Sequence, residues 1–186
     1  IGNFMRSKKM GISGLNDGTS LEKLCNELAL KKNIKVIGDI KMPLAIPAVD
    51  ISESKEYIFT NCAPRDNRND DYITEIEIGK AVRASSSFPA VFCPCEFRTH
   101  MFMDGGTLDN IPVLPLKGMC DKKIIAVNFA ADPVDPSSDV MDIVMKTVDI
   151  MGNKIAEKAL EKSDLILTVP TDRAGLFDIE KLDKCY

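Results

Sequence analysis

Apolar and polar positions along the chain follow two periods. Leu21, Leu24, Cys25 and Leu28 recur at helical spacing behind a capping box formed by Thr19 and Glu22. A helix is therefore expected to about Lys32. Residues 43–49 (PLAIPAV) form a short apolar run that ends at Asp50, the pattern of a strand buried on both faces. Pro47 within it argues against a regular central strand. Tyr57 to Thr60 give a second strand, and the polar stretch 61–71 reads as an exposed loop. Thr74 and Glu77 fit another capping box, with Ile76, Ile78, Ala81 and Val82 carrying a helix to about Ala84.

Three serines, Ser85, Ser86 and Ser87, then break that helix ahead of Pro89. Residues 91–97 read as extended, interrupted by Pro94, and the apolar step from Met101 to Met103 runs into Asp104-Gly105-Gly106. Residues 124–129 (IIAVNF) are the clearest central strand. Val140, Ile143, Val144, Thr147, Met151, Ile155 and Ala159 mark a long helix, and 165–169 (LILTV) a final strand. The first eighteen residues are polar and punctuated by glycine, a loop pattern. Strands alternating with helices imply an α/β fold with a mainly parallel sheet.

Composition narrows the function classes. The 186 residues fit one domain or a large piece of one, and 45% hydrophobic with 28% charged residues is an ordinary globular mix. The net charge of −4 argues against a nucleic-acid-binding module that works by neutralising phosphates. No apolar run approaches the ~18 residues of a membrane span. The six cysteines form no C-x-x-C pair, and a single histidine, His100, speaks against a structural zinc site. Scattered cysteines without a signal sequence read as reduced, buried thiols in a cytoplasmic protein.

The candidate chemistry lies between Ile78 and Val127. In order come Ala81-Val82-Arg83-Ala84-Ser85-Ser86-Ser87-Phe88-Pro89, then Phe102-Met103-Asp104-Gly105-Gly106, then Asp109-Asn110-Ile111-Pro112-Val113, then Ile124-Ile125-Ala126-Val127. This succession resembles the C-terminal part of a patatin-like phospholipase domain of the bacterial type. The strand ending at Asp50 and the tail from Ser163 extend the resemblance over nearly the whole chain.

The resemblance implies a three-layer α/β/α sandwich with a mainly parallel central sheet, incomplete here at its N-terminus, so that residues 1–186 are a partial domain. It implies a lipid acyl hydrolase of the phospholipase or esterase type, acting through a Ser-Asp dyad with no metal or organic cofactor. Asp104 would be the catalytic carboxylate, with Gly105, Gly106 and Asn110 supporting its turn. The partner would be a lipid or acyl-ester substrate, with peripheral membrane contact open to it and no nucleic acid; the oligomeric state is left open.

The G-x-S-x-G nucleophile turn of that family has no full counterpart. Gly11-Ile12-Ser13-Gly14-Leu15 comes nearest, but Leu15 replaces the last glycine and no apolar strand feeds the turn, so Ser13 reads as a loop serine. The serine and the oxyanion loop are expected upstream of Ile1, which leaves this chain inactive alone. Taken by itself, Asp104 is a turn aspartate that bonds its own backbone. His100 reads as a surface hairpin histidine, Asp50 as a turn or edge pin, and Asp109 and Asn110 as residues that fix the loop after the glycines. The methionine-bearing face of the long helix (Met141, Met145, Met151) reads as packing on a sheet rather than lipid contact. The alternative function is a catalytically inactive lipid-binding or scaffolding module. An unrelated nucleotide-binding α/β domain lacks support, because neither G-x-G-x-x-G nor a P-loop is present.

Overall fold

A computed structural model of the chain describes residues 16–63, 71–119, 121–129 and 140–170. Helix α1 (Thr19–Leu30) is followed by a 3-10 turn (Ile37–Asp39) and strands β1 (Ala45–Asp50), β2 (Lys55–Thr60) and β3 (Tyr72–Ile73). Helix α2 (Ile78–Ser85) leads to β4 (Cys95–Phe97), β5 (His100–Asp104) and two short helices, α3 (Gly106–Asp109) and α4 (Val113–Met119). Strand β6 (Ile125–Phe129), helix α5 (Val140–Leu160) and β7 (Leu165–Val169) complete the order. The fold is mixed α/β, as the alternation of periods implies. No helix among the described residues is long and apolar enough to cross a membrane.

The direction of strand pairing departs from the mainly parallel sheet expected. The larger sheet has the order β3-β2-β1-β5-β4. Of its ladders, β1–β2, β1–β5 and β4–β5 are antiparallel, and β2–β3 alone is parallel. Connection length explains two of these. Only Ile51 to Ser54 separate β1 from β2, and only Arg98 and Thr99 separate β4 from β5. A parallel pair needs a crossover of a dozen or more residues, so such links permit hairpins only. Ser54 and Arg98 take the positive φ values (54° and 55°) that let these turns close.

Pro47 nevertheless lies in the central strand. Its carbonyl faces Gly105, just past the last β1–β5 pair, Ala48 with Asp104. Its nitrogen points to the same side, where the ladder has ended, so the missing N–H costs no strand bond. On one face of this sheet Ala48, Tyr57, Phe59, Cys95 and Phe102 form a core with Ala81 and Ala84 of α2. Phe59 and Phe102 meet edge to face with ring centroids 5.1 Å apart.

The 124–129 run, expected as a central strand, has β7 as its one partner among the described residues, in a two-stranded parallel sheet. A second core of Ile111, Val113, Ile124, Ala126 and Ala156 covers one side of it. The long helix also differs from expectation. Among residues 143–160 its buried positions are Gly152 and Ala156, while Ile143, Val144, Met151 and Ile155 are exposed. The small residues permit close approach, with the Gly152 α-carbon facing the Gly106 carbonyl.

Candidate active site

Strand β5 delivers Asp104 to its last position, and the chain turns at once. Gly105 begins the turn with helical φ and ψ (−61° and −30°). A side chain there is sterically barred, because a Cβ would lie 2.3 Å from the Pro47 carbonyl oxygen. The Gly105 carbonyl accepts the N–H groups of Leu108 (3.1 Å) and Asp109 (2.9 Å), which closes α3. Asp104 Oδ1 accepts the Gly106 N–H at 2.7 Å. One oxygen thus does what a turn aspartate does, and among the described residues no hydrogen bond reaches the other, Oδ2.

The serine run supports this turn from behind. Asp104 N–H donates to the Ser87 carbonyl (3.1 Å) and Gly105 N–H to the Ser85 carbonyl (3.3 Å). The Ser86 and Ser87 hydroxyls donate back to the Val82 and Arg83 carbonyls, both at 2.7 Å, which ends α2 where the serines were expected to end it. Asp104 is half-buried, and burial pushes its carboxyl above the ordinary carboxylate range against the lowering effect of the Gly106 N–H. A carboxylate so placed is a stronger proton acceptor than one in water.

Gly106 and Asn110 complete the turn. A Cβ on Gly106 would stand 2.9 Å from Asp104 Oδ1 and 3.0 Å from Asn110 Oδ1. Asp104, Gly105, Gly106 and Asn110 therefore come together in one turn. His100 does not join them. It lies four residues back along β5, roughly 13 Å at about 3.3 Å per residue. Its Nδ1 is 2.7 Å from Oδ2 of the fully buried Asp50, whose Oδ1 accepts the Ser52 N–H (2.8 Å) and pins the β1–β2 turn. That partnership and those of its neighbours hold the Asp50 carboxyl below its ordinary range despite burial. Ser13 lies outside the described residues.

Sequence reasoning missed a carboxyl pair beside the site. Glu56 of β2 meets Asp109 at the end of α3, and burial together with the Asp109 charge pushes the Glu56 carboxyl up to about 7. Burial raises Asp109 as well, against the hydrogen bond from Glu56. The two carboxyls titrate as a coupled pair. No spacing rule links positions 56 and 109; the pair exists because α3 folds back over the sheet.

Known proteins can be set beside this geometry. A family model described as patatin-like phospholipase matches residues 2–117. The chain is 30% identical over 122 residues to the uncharacterized protein YqhO of Bacillus subtilis, covering 63% of this chain and 41% of that one. It is 29% identical over 132 residues to lysophospholipase NTE1 of Scheffersomyces stipitis, 56% of this chain and 8% of the other. An uncharacterized NTE family protein of Mycobacterium tuberculosis is 36% identical over 59 residues, 32% of this chain and 16% of its own length. The chain thus spans less than half of these relatives.

Proposed function

Because the chain belongs to the patatin-like phospholipase family, we propose that it supplies the general base of a lipid acyl hydrolase, with Asp104 as that base. The nucleophilic serine comes from polypeptide outside this sequence, so residues 1–186 are part of a larger catalytic domain and are inactive alone. The observation that carries this reading is the Asp104 turn: a half-buried carboxyl at a strand end, one oxygen fixed by Gly106 and its pKa raised by burial. Further support comes from the absence of a full G-x-S-x-G anywhere in the sequence and from the greater length of the relatives. The lysophospholipase among those relatives favours a lipid ester as substrate. The exposed Ile143, Val144, Ile150, Met151 and Ile155 of α5 offer a surface for peripheral membrane contact.

The chemistry follows from the carboxyl. As the serine oxygen attacks the acyl carbonyl, Asp104 Oδ2 takes the hydroxyl proton. The tetrahedral intermediate collapses to an acyl-enzyme, and the proton passes from Asp104 to the leaving alkoxide. Water then attacks the acyl group while Asp104 accepts its proton; collapse releases the fatty acid, and Asp104 returns the proton to the serine oxygen. Gly105 and Gly106 let the chain bend tightly behind the carboxyl, against Pro47 and Asn110.

The test uses a short p-nitrophenyl ester and the longer polypeptide that includes this chain. Asp104→Asn keeps the hydrogen bond from Gly106 and removes the base. Turnover should fall by about 10²–10⁴-fold with the circular dichroism spectrum unchanged. Retained turnover removes Asp104 from the mechanism. A parent polypeptide that hydrolyses no ester yet binds lipid vesicles favours the inactive lipid-binding module instead. Residues 1–186 alone should resist labelling by a fluorophosphonate probe.

A further inference from the structure

At the end of β5 away from Asp104, three segments converge on one spot. Asp50 closes β1, Glu53 sits in the four-residue turn to β2, and His100 opens β5. The carboxylate oxygens of Asp50 and Glu53 and an imidazole nitrogen of His100 lie within 4.8 Å of one another. Asp50 is fully buried, His100 half-buried and Glu53 exposed, so the group opens to solvent on one side.

We propose that Asp50, Glu53 and His100 bind one divalent cation of the zinc class. Zinc accepts both imidazole nitrogen and carboxylate oxygen, and three protein ligands leave its fourth position for water. Calcium and magnesium favour oxygen donors throughout, so the nitrogen directs the choice. The donors need to move little. Ligand atoms around tetrahedral zinc stand roughly 3.3 Å apart. The Asp50–His100 contact of 2.7 Å would open by roughly 0.6 Å, and the wider separations would close.

Outer contacts already orient the donors. The Ser52 and Met101 N–H groups hold Asp50 Oδ1 at 2.8 and 3.3 Å, which leaves Oδ2 for the cation. The Tyr57 hydroxyl donates to Glu53 Oε2 at 2.7 Å and turns an exposed side chain toward the other two. Such second contacts are usual around metal ligands. Lying some 13 Å from Asp104, the cation would fasten the β1–β2 turn to β5 and take no part in ester chemistry. The inference is independent of the proposed activity.

Cobalt(II) tests it, because its visible spectrum distinguishes nitrogen and oxygen donors from the thiolates of this cysteine-containing chain. Cobalt(II) and then zinc chloride are titrated into residues 1–186 under reducing conditions, with the Glu53→Gln and His100→Gln variants alongside. The expected result is a one-to-one complex without a thiolate-to-cobalt charge-transfer band, displaced by zinc and weakened about 10–100-fold in each variant. Glu53 is exposed in a turn, so its variant keeps the fold even if His100→Gln disturbs Asp50. No one-to-one complex, a complex dominated by thiolate absorption, or equal affinity in parent and Glu53→Gln would overturn the proposal.

Discussion

At the scale of single residues, two carboxyl groups at and beside the site have different surroundings. Asp104 is raised by burial alone, with an N–H pulling the other way. Glu56 is raised by burial and by Asp109, from 4.5 to about 7. The sign of the stability effect follows from where each state holds the proton. Below about pH 4.5 Glu56 is protonated folded and unfolded, and the pair costs nothing. Between 4.5 and about 7 the unfolded chain releases the proton while the folded chain keeps it, so stability falls as pH rises. Above 7 the cost is constant. Glu56→Gln retains a donor toward Asp109 and removes the titration. Its unfolding free energy from urea titration should exceed the parent's at pH 8, by about 1–2 kcal/mol after allowing for solvent screening of a half-buried pair. The difference should vanish near pH 4. A variant equally stable with the parent at both values would mean that the pair is solvated. The Asp-Gly-Gly turn was legible because its requirements are local: a cap, a close approach, a sharp bend. The Glu56–Asp109 and Asp50–His100 pairs each join residues some fifty positions apart, and only the strand order brings them together.

At the scale of elements, local signals located the three longer helices, missed the short α3 and α4, and misassigned the caps of α1 and α2. Thr74 and Glu77 match a capping box, yet α2 starts at Ile78 without a side-chain cap from its own neighbours. The cap comes from α1. Asn26 Oδ1 accepts the Gly79 N–H at 2.7 Å, and Asn26 Nδ2 donates to Glu77 Oε2 at 2.9 Å. Likewise Glu22, expected to cap α1, reaches across to Arg83 Nη1 at 2.8 Å. A tertiary partner has displaced the local one in both cases, and a one-dimensional pattern cannot register that. The two helices are held this close by Gly79, where a Cβ would stand 2.1 Å from the Glu22 carbonyl oxygen and 2.7 Å from Asn26 Oδ1. Gly79→Ala should force the helices apart. Thermal or denaturant unfolding should then register a loss of about 1–3 kcal/mol, although alanine is the better helix former. A stabilised variant would show that propensity outweighs the contact. Because α2 ends in the serines that brace Asp104, the same change should also lower ester turnover in the longer polypeptide.

At the scale of the whole molecule, the two sheets differ in how they are covered. The five-stranded sheet has a core against α2, whereas β6 is covered on its Ala126 side only and β7 is exposed along its length. On the other side Ile125, Val127, Phe129, Leu165, Leu167 and Val169 are 40–62% exposed. Parallel strands are found almost solely with both faces covered, and two strands do not make a stable sheet in water. The run 124–129 therefore carries the sequence of a buried central strand in a chain that does not bury it, which is why its pattern outran the structure. If the nucleophile-bearing polypeptide completes the domain here, substitutions on this face have opposite consequences in two settings. In residues 1–186, Phe129→Glu with Leu167→Glu puts charge where solvent already reaches. The pair should reduce binding of a hydrophobic dye and self-association in sedimentation, with the unfolding free energy unchanged within about 0.5 kcal/mol. In the longer polypeptide the same two carboxylates would be buried without partners. There the domain should lose several kcal/mol or fail to fold. Equal tolerance in both settings would mean that such a polypeptide packs elsewhere. A loss in both would place this face in a contact that residues 1–186 already make.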